Sequence, residues 1–152
     1  MVPDIDVIGF RLGIHYGDLL GHRGLTHSLA FAVLLSIAVV RCAVPRGCQT
    51  VNRQVFLLYL FVATASHGIL DAMTNGGLGV AFFSPFLSTR YFFPFRPIQV
   101  SPLEVGAFFT QRGVEVLRSE VLWIWLPCGL LVTVVGLWRL QRLTGIVTES
   151  GR

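Results

Sequence analysis

Imidazole and carboxylate side chains together form the usual ligand set for a divalent ion. This chain places all of its histidines (His15, His22, His27, His67) and all of its aspartates (Asp4, Asp6, Asp18, Asp71) in its first half. They fall into three short clusters: Pro3-Asp4-Ile5-Asp6, His22-Arg23-Gly24-Leu25-Thr26-His27-Ser28 and Ser66-His67-Gly68-Ile69-Leu70-Asp71. Ionisable groups beside long apolar runs are costly to keep unless they bind an ion or pair with one another. The chemistry on offer is a metal centre with mixed His and carboxylate ligands, suited to Zn and also to Mn or Fe. If the centre is catalytic, such an ion brings the pKa of its bound water down to about 7, and metal-assisted hydrolysis is the expected reaction type.

Spacing sorts the candidates. His67 and Asp71 are four apart and share a face on a helix, the arrangement that lets two side chains hold one ion. Asn75 continues that line if the helix extends. His22 and His27 are five apart, which is wrong for a single helical face. A turn ending with Thr26 as N-cap would set His22 on a loop and His27 in the first helical turn. Asp4 and Asp6 both turn inward only on an irregular segment or a helix start. His15 and Asp18, among glycines, are expected to be solvated. An ion-paired polar plug with no metal is the competing reading of the same residues.

The elements that must position these groups are apolar. The 152 residues are 53% hydrophobic and 13% charged, with a mean hydropathy of +0.69. This composition suits a bilayer better than a water-soluble core. The expected fold is all-α: one membrane-embedded domain over residues 1–152, with about three spanning helices. The spans are Leu25 to Val40, Val55 to Leu70 and Val121 to Trp138, the last kinked at Pro127. Gly76 to Phe95, rich in Gly, Pro and Phe, reads as a re-entrant or interfacial segment. Ser101-Pro102-Leu103-Glu104 is a helix-start signal, predicting a surface helix from about Pro102 to Gly113. MVPDIDVIGF has no basic n-region or apolar h-region, so no cleavable signal peptide is expected. All twelve basic residues are Arg and are scattered, giving a net charge of +4 without a nucleic-acid patch. Cys42, Cys48 and Cys128 form no metal or disulfide pattern.

Topology brings the clusters together. Two consecutive spans joined by the Arg41-to-Arg53 loop run antiparallel, so the start of the first and the end of the second share one membrane face. Asp4 and Asp6 lie at that face too. By the positive-inside rule Arg41, Arg46 and Arg53, with Arg139 and Arg142, would put the loop on the cytoplasmic side and the site on the outer one. Arg90, Arg96, Arg112 and Arg118 on the opposite side dilute that bias and leave the face open.

The quoted clusters, with SHGILDAMTNGG, FFSPF and FFPFRPI after them, resemble the YdjM-type family of small bacterial inner-membrane proteins described as membrane-bound, metal-dependent hydrolases. The resemblance runs from Pro3 to about the third span. It implies a multi-pass inner-membrane protein whose metal ligands fall on Asp4, Asp6, His22, His27, His67 and Asp71. Members usually carry an earlier apolar helix with a Thr-His near its start, whereas this chain begins almost at PDID: either the start is mis-assigned or this member lacks that helix and one candidate donor. On this reading the catalytic candidates are Asp6 and Asp71, as base or ligand-orienting carboxylates, and Arg23, whose guanidinium suits a phosphate. A substrate at the bilayer surface is expected to be a phosphoester of a lipid or lipid-linked molecule. The alternative is a non-catalytic membrane protein that binds metal, acts as a scaffold or transports.

Overall fold

The computed structural model describes residues 2–45, 52–102 and 105–149. Arg46, Cys48 and the Leu103-Glu104 half of the expected helix start lie outside the described residues. Those described form helices and irregular segments with no strand, in two compact units, Met1–Leu103 and Glu104–Arg152.

In the first unit, Pro3 presets a helical φ and the chain winds as a 3-10 helix over Pro3–Leu12, stopped by Gly13. Three residues per turn sort its side chains cleanly. Pro3, Asp6 and Gly9 share one face, Asp4 and Phe10 the next, and Val2, Ile5 and Ile8 the third. Pro3 and Gly9 are buried, whereas Val2, Ile5 and Ile8 are exposed. Both carboxylates therefore face inward, as an α-helix would not have allowed.

The first apolar run starts later than expected. Leu25–His27 is a single 3-10 turn, and α1 is Leu29–Ala43, 15 residues. That is short of the roughly 20 residues a span requires. The reason is local: Ser28, in extended conformation, caps α1 by accepting from the Phe31 N–H. Thr26, expected as the cap, turns its hydroxyl to Asp6 instead. The second run becomes α2, Arg53–Ala72, 20 residues, capped by Asn52. Arg53 in turn donates to the carbonyls of Val40 and Val44, closing the C-terminus of α1. The start of α2 thus meets the end of α1, and the hairpin is antiparallel.

Gly76 to Phe95 is irregular, as its Gly and Pro content requires. It folds back over the end of α2: the Phe93 N–H donates to the Ala72 carbonyl and the Ile98 N–H to that of Met73. Asn75 leaves the helix line and pairs with Gln99.

In the second unit the expected surface helix is divided. A short α3, Val105–Phe108, is followed by α4, Gln111–Glu120, capped by Thr110. Gly113, expected to end a helix, sits inside α4 because the chain folds back there. A Cβ at this glycine would lie 1.7 Å from the Phe108 carbonyl oxygen. A π-helical turn, Val121–Trp125, leads into α5, Leu126–Glu149. Pro127 accounts for that turn, since its ring would strike the carbonyl of residue 123 in a regular α-helix. Two stretches, α2 and the continuous helix from Gln111 to Arg142, are long and apolar enough to cross a membrane.

Candidate metal centre

Side-chain length and backbone course converge on His27. The 3-10 helix carries Asp4 and Asp6, the turn before α1 carries His22 and His27, and the last two turns of α2 carry His67 and Asp71. Gly68 lets these parts close up. A Cβ there would stand 3.1 Å from the His27 carbonyl oxygen, tighter than side chains normally tolerate. With glycine, the His27 turn rests directly on α2 beside His67.

Four donors surround one point. His27 Nε2 lies 3.1 Å from Asp71 Oδ2 and 3.6 Å from Asp4 Oδ1. His67 Nε2 lies 3.1 Å from Asp4 Oδ1 and 3.8 Å from Asp71 Oδ2. Four donors each about 2.0–2.1 Å from a single ion form a tetrahedron with edges of roughly 3.3 Å, so the spacings fit an ion of that size. Buried His27 Nε2 and Asp71 Oδ2 make no hydrogen bond despite their proximity. Buried polar atoms without a hydrogen bond are rare in a finished fold, and here two of them, an ion pair by distance, face the same point. These residues could hold a metal ion.

Asp6 and His22, expected as further ligands, stand behind His27 rather than beside that point. Asp6 Oδ2 is 3.2 Å from His27 Nδ1 and accepts from the Thr26 hydroxyl and the Arg23 N–H. Asp6 Oδ1 is 2.7 Å from His22 Nδ1. Asp6, His22 and His27 form a second donor group, but the Asp6 oxygens are already engaged, and its side chain is only 2% exposed. The geometry gives Asp6 the role of orienting His27: it holds Nδ1 and so directs Nε2 at the first group.

Arg23 also departs from its expected role. Its backbone is left-handed, at φ +61, and its guanidinium is turned into the protein. Nη2 donates to Asp71 Oδ1 at 3.1 Å, and Nη1 donates to Thr74 Oγ1 at 2.9 Å and the Gly76 carbonyl at 3.0 Å. At 4% exposure it fixes Asp71 instead of offering a free fork to a phosphate. His15 and Asp18 are exposed, as expected, and lie 3.6 Å apart as a pair.

The charges follow from this packing. Burial alone would raise the Asp4 and Asp6 carboxyls, yet the imidazoles of His27 and His67 beside Asp4, and of His22 and His27 beside Asp6, outweigh it and hold both well below the usual carboxylate range. Burial would likewise lower His27, but Asp4, Asp6 and Asp71 around it push it up to about 10. Without metal, His27 is therefore an imidazolium among three carboxylates. That contribution to stability is fully present below the ordinary His value of about 6.5 and fades as pH rises through about 10. The carboxylates' contribution is lost only in strong acid.

Sequence reasoning missed Arg90. Its guanidinium donates to the carbonyls of Tyr16 (2.8 Å), His22 (3.0 Å) and Asp18 (3.2 Å), joining the loop before His22 to the aromatic segment. An Arg after FFSPF carried no sign of this, because the contacts are to backbone. Arg90→Gln is expected to leave at least two partly buried carbonyls unpaired and to lower unfolding stability by about 2–4 kcal/mol, read as a thermal midpoint in detergent. Arg90→Lys should recover less than half of the loss, since one ammonium cannot span three carbonyls.

The YdjM inner membrane protein family matches residues 1–143 of the chain. The inner membrane protein YbcI of Escherichia coli (strain K12) is 38% identical over 146 residues, covering 91% of this chain and 79% of that protein. No solved structure matches. With the family match spanning nearly the whole length and the helices able to cross a membrane, this chain belongs to the YdjM family of inner membrane proteins.

Proposed function

We propose that this protein is a multi-pass inner-membrane hydrolase that uses a metal-activated water on a phosphoester of a lipid or lipid-linked substrate, with zinc as the metal. The observation that carries the reading is the four-donor group with two buried atoms, neither hydrogen-bonded, facing one point. Asp4, His27, His67 and Asp71 would hold the ion. Zinc bound by such donors supplies hydroxide at neutral pH, because its water has a pKa of about 7. The rest of the chemistry belongs to this chain's own side chains. Asp6 fixes the tautomer and direction of His27, and Arg23 binds Asp71 Oδ1 so that Oδ2 stays turned to the donor group. Asp4 is the most exposed donor side chain, at 36% against 17% for Asp71, 12% for His67 and 0% for His27. The open side through which water and substrate arrive is therefore the side of Asp4.

Metal competes with the His27 proton. With that group held up to about 10, the ion must displace one proton from His27, so apparent affinity should rise at least about tenfold per pH unit from neutrality to about pH 10. Calorimetric zinc titrations at pH 8 in two buffers of different ionisation enthalpy should show about two protons released per ion, one from His27 and one from the bound water. Release of only the water's proton would contradict a charged His27 in the metal-free site.

The function is tested with zinc-loaded protein reconstituted into phosphatidylglycerol and phosphatidylethanolamine vesicles, following phosphate-bearing products by mass spectrometry. Product from wild type and none from His67→Ala supports the reading. Full zinc occupancy without hydrolysis, across lipids and soluble phosphodiesters, would replace it with a non-catalytic metal-binding membrane protein.

A further inference from the structure

We propose that the groove between α1 and α2 that ends at His67 seats a single hydrocarbon chain of the lipid whose polar end meets the four donors. The cavity measures about 340 Å³, within the size range of small-molecule sites. Its walls are Leu35 and Val39 of α1 and Leu60 and Ala63 of α2, and its polar end is His67. Val2 and Pro3 close it next to the 3-10 helix that carries Asp4. One end of the groove is thus made by the donor His67 and by the neighbours of the donor Asp4, while the rest is apolar apart from Ser36 and Thr64 and runs along helices of an inner-membrane protein.

Polarity within the groove points the same way. The Ser36 hydroxyl on its wall is already donated to the Ala32 carbonyl. It offers no donor to a polar ligand, and the other hydroxyl on the lining, Thr64, lies one turn of α2 before His67. The body of the groove therefore favours methylenes and the Thr64–His67 end favours a head group. A soluble substrate would leave this length of apolar wall unused. An aliphatic tail covers it and sets the distance at which the ester linkage stops beside the donors. The inference rests on the hydrolase reading for the head group and on the groove alone for the tail.

Ala63 and Val62 are both exposed on α2, yet only Ala63 lines the groove. This gives a matched pair of variants, Ala63→Trp and Val62→Trp. The full chain in detergent micelles is supplied with trace phosphatidylglycerol bearing a diazirine in one acyl chain, irradiated, and mapped by peptide mass spectrometry. Labelling of Leu35, Val39 and Leu60 should saturate and be competed by unlabelled phosphatidylglycerol. It should fall at least fivefold in Ala63→Trp and stay within twofold in Val62→Trp, with metal content equal in both. Groove labelling that rises in proportion to lipid, as at exposed Leu58, or that survives Ala63→Trp, would overturn the proposal. Saturable labelling in a protein that hydrolyses nothing would keep the tail site and overturn the hydrolase reading. Hydrolysis with unsaturable labelling would do the reverse.

Discussion

Asp71→Ala is expected to damage the protein far more than His67→Ala, although each removes one of four donors. Both should lower metal affinity by more than about 100-fold, beyond the 10–100-fold typical of losing a ligand's outer partner. They differ in what is left behind. Among the described residues His67 pairs with Asp4 and Asp71 and its ring lies beside that of His27, and its removal relieves a crowded site. Asp71 also carries the Arg23 guanidinium, buried to 4% exposure. Truncating Asp71 strands that charge, and breaking a buried pair in this way costs about 3–5 kcal/mol. Asp71→Asn should separate the two effects, because its amide oxygen still accepts from Arg23 Nη2 while the anionic donor is gone. Thermal midpoints beside metal content decide it: all three variants lack metal, and only Asp71→Ala loses most of its stability. Equal midpoints for Asp71→Ala and His67→Ala would mean that the Arg23 contact contributes little.

The second large effect is expected at Arg23. Arg23→Met removes donors from Asp71 Oδ1, Thr74 Oγ1 and the Gly76 carbonyl together. It also frees the His22-Arg23 turn from the end of α2. The loss should be about 3–5 kcal/mol, with metal affinity falling because Asp71 Oδ2 is no longer held in place. Arg23→Lys should recover only part of this, since a single ammonium cannot serve three acceptors arranged as a fork. A phosphate-holding arginine would behave differently, raising KM for the substrate and leaving the thermal midpoint and the metal content untouched.

Much of this arrangement was legible in the sequence because it depends on topology. His and Asp at the two ends of an antiparallel hairpin must meet, whatever the details. The α2 boundary moved by only two residues at either end, from Val55–Leu70 to Arg53–Ala72, because a long apolar run with an Asn cap leaves few choices. Less visible was everything decided by short-range geometry. Asp4 and Asp6 face inward together only with the 3-10 period of three, and Pro-Asp-Ile-Asp does not announce a 3-10 helix over an α-helix. Whether Ser28 or Thr26 caps α1 turned on Asp6, which claims the Thr26 hydroxyl from twenty residues away. The division between Asp4, at the His27 Nε2 side, and Asp6, at the Nδ1 side, follows from the same contact. Arg23 looked available in a list of residues and is spent on Asp71 in three dimensions. Gly68, adjacent to His67 in SHG, was the one unread sequence signal, a small residue where the His27 turn must approach α2.

The most direct test of the central claim is metal content, by elemental mass spectrometry, of detergent-purified wild type and His67→Ala after parallel loading with zinc, manganese or iron. The expected result is close to one zinc per wild-type chain and almost none in the variant, with both proteins recovered from the membrane fraction. Failure of the wild type to retain zinc, manganese or iron would contradict the account and leave the His and Asp groups as an ion-paired plug holding the turn before α1 against the end of α2.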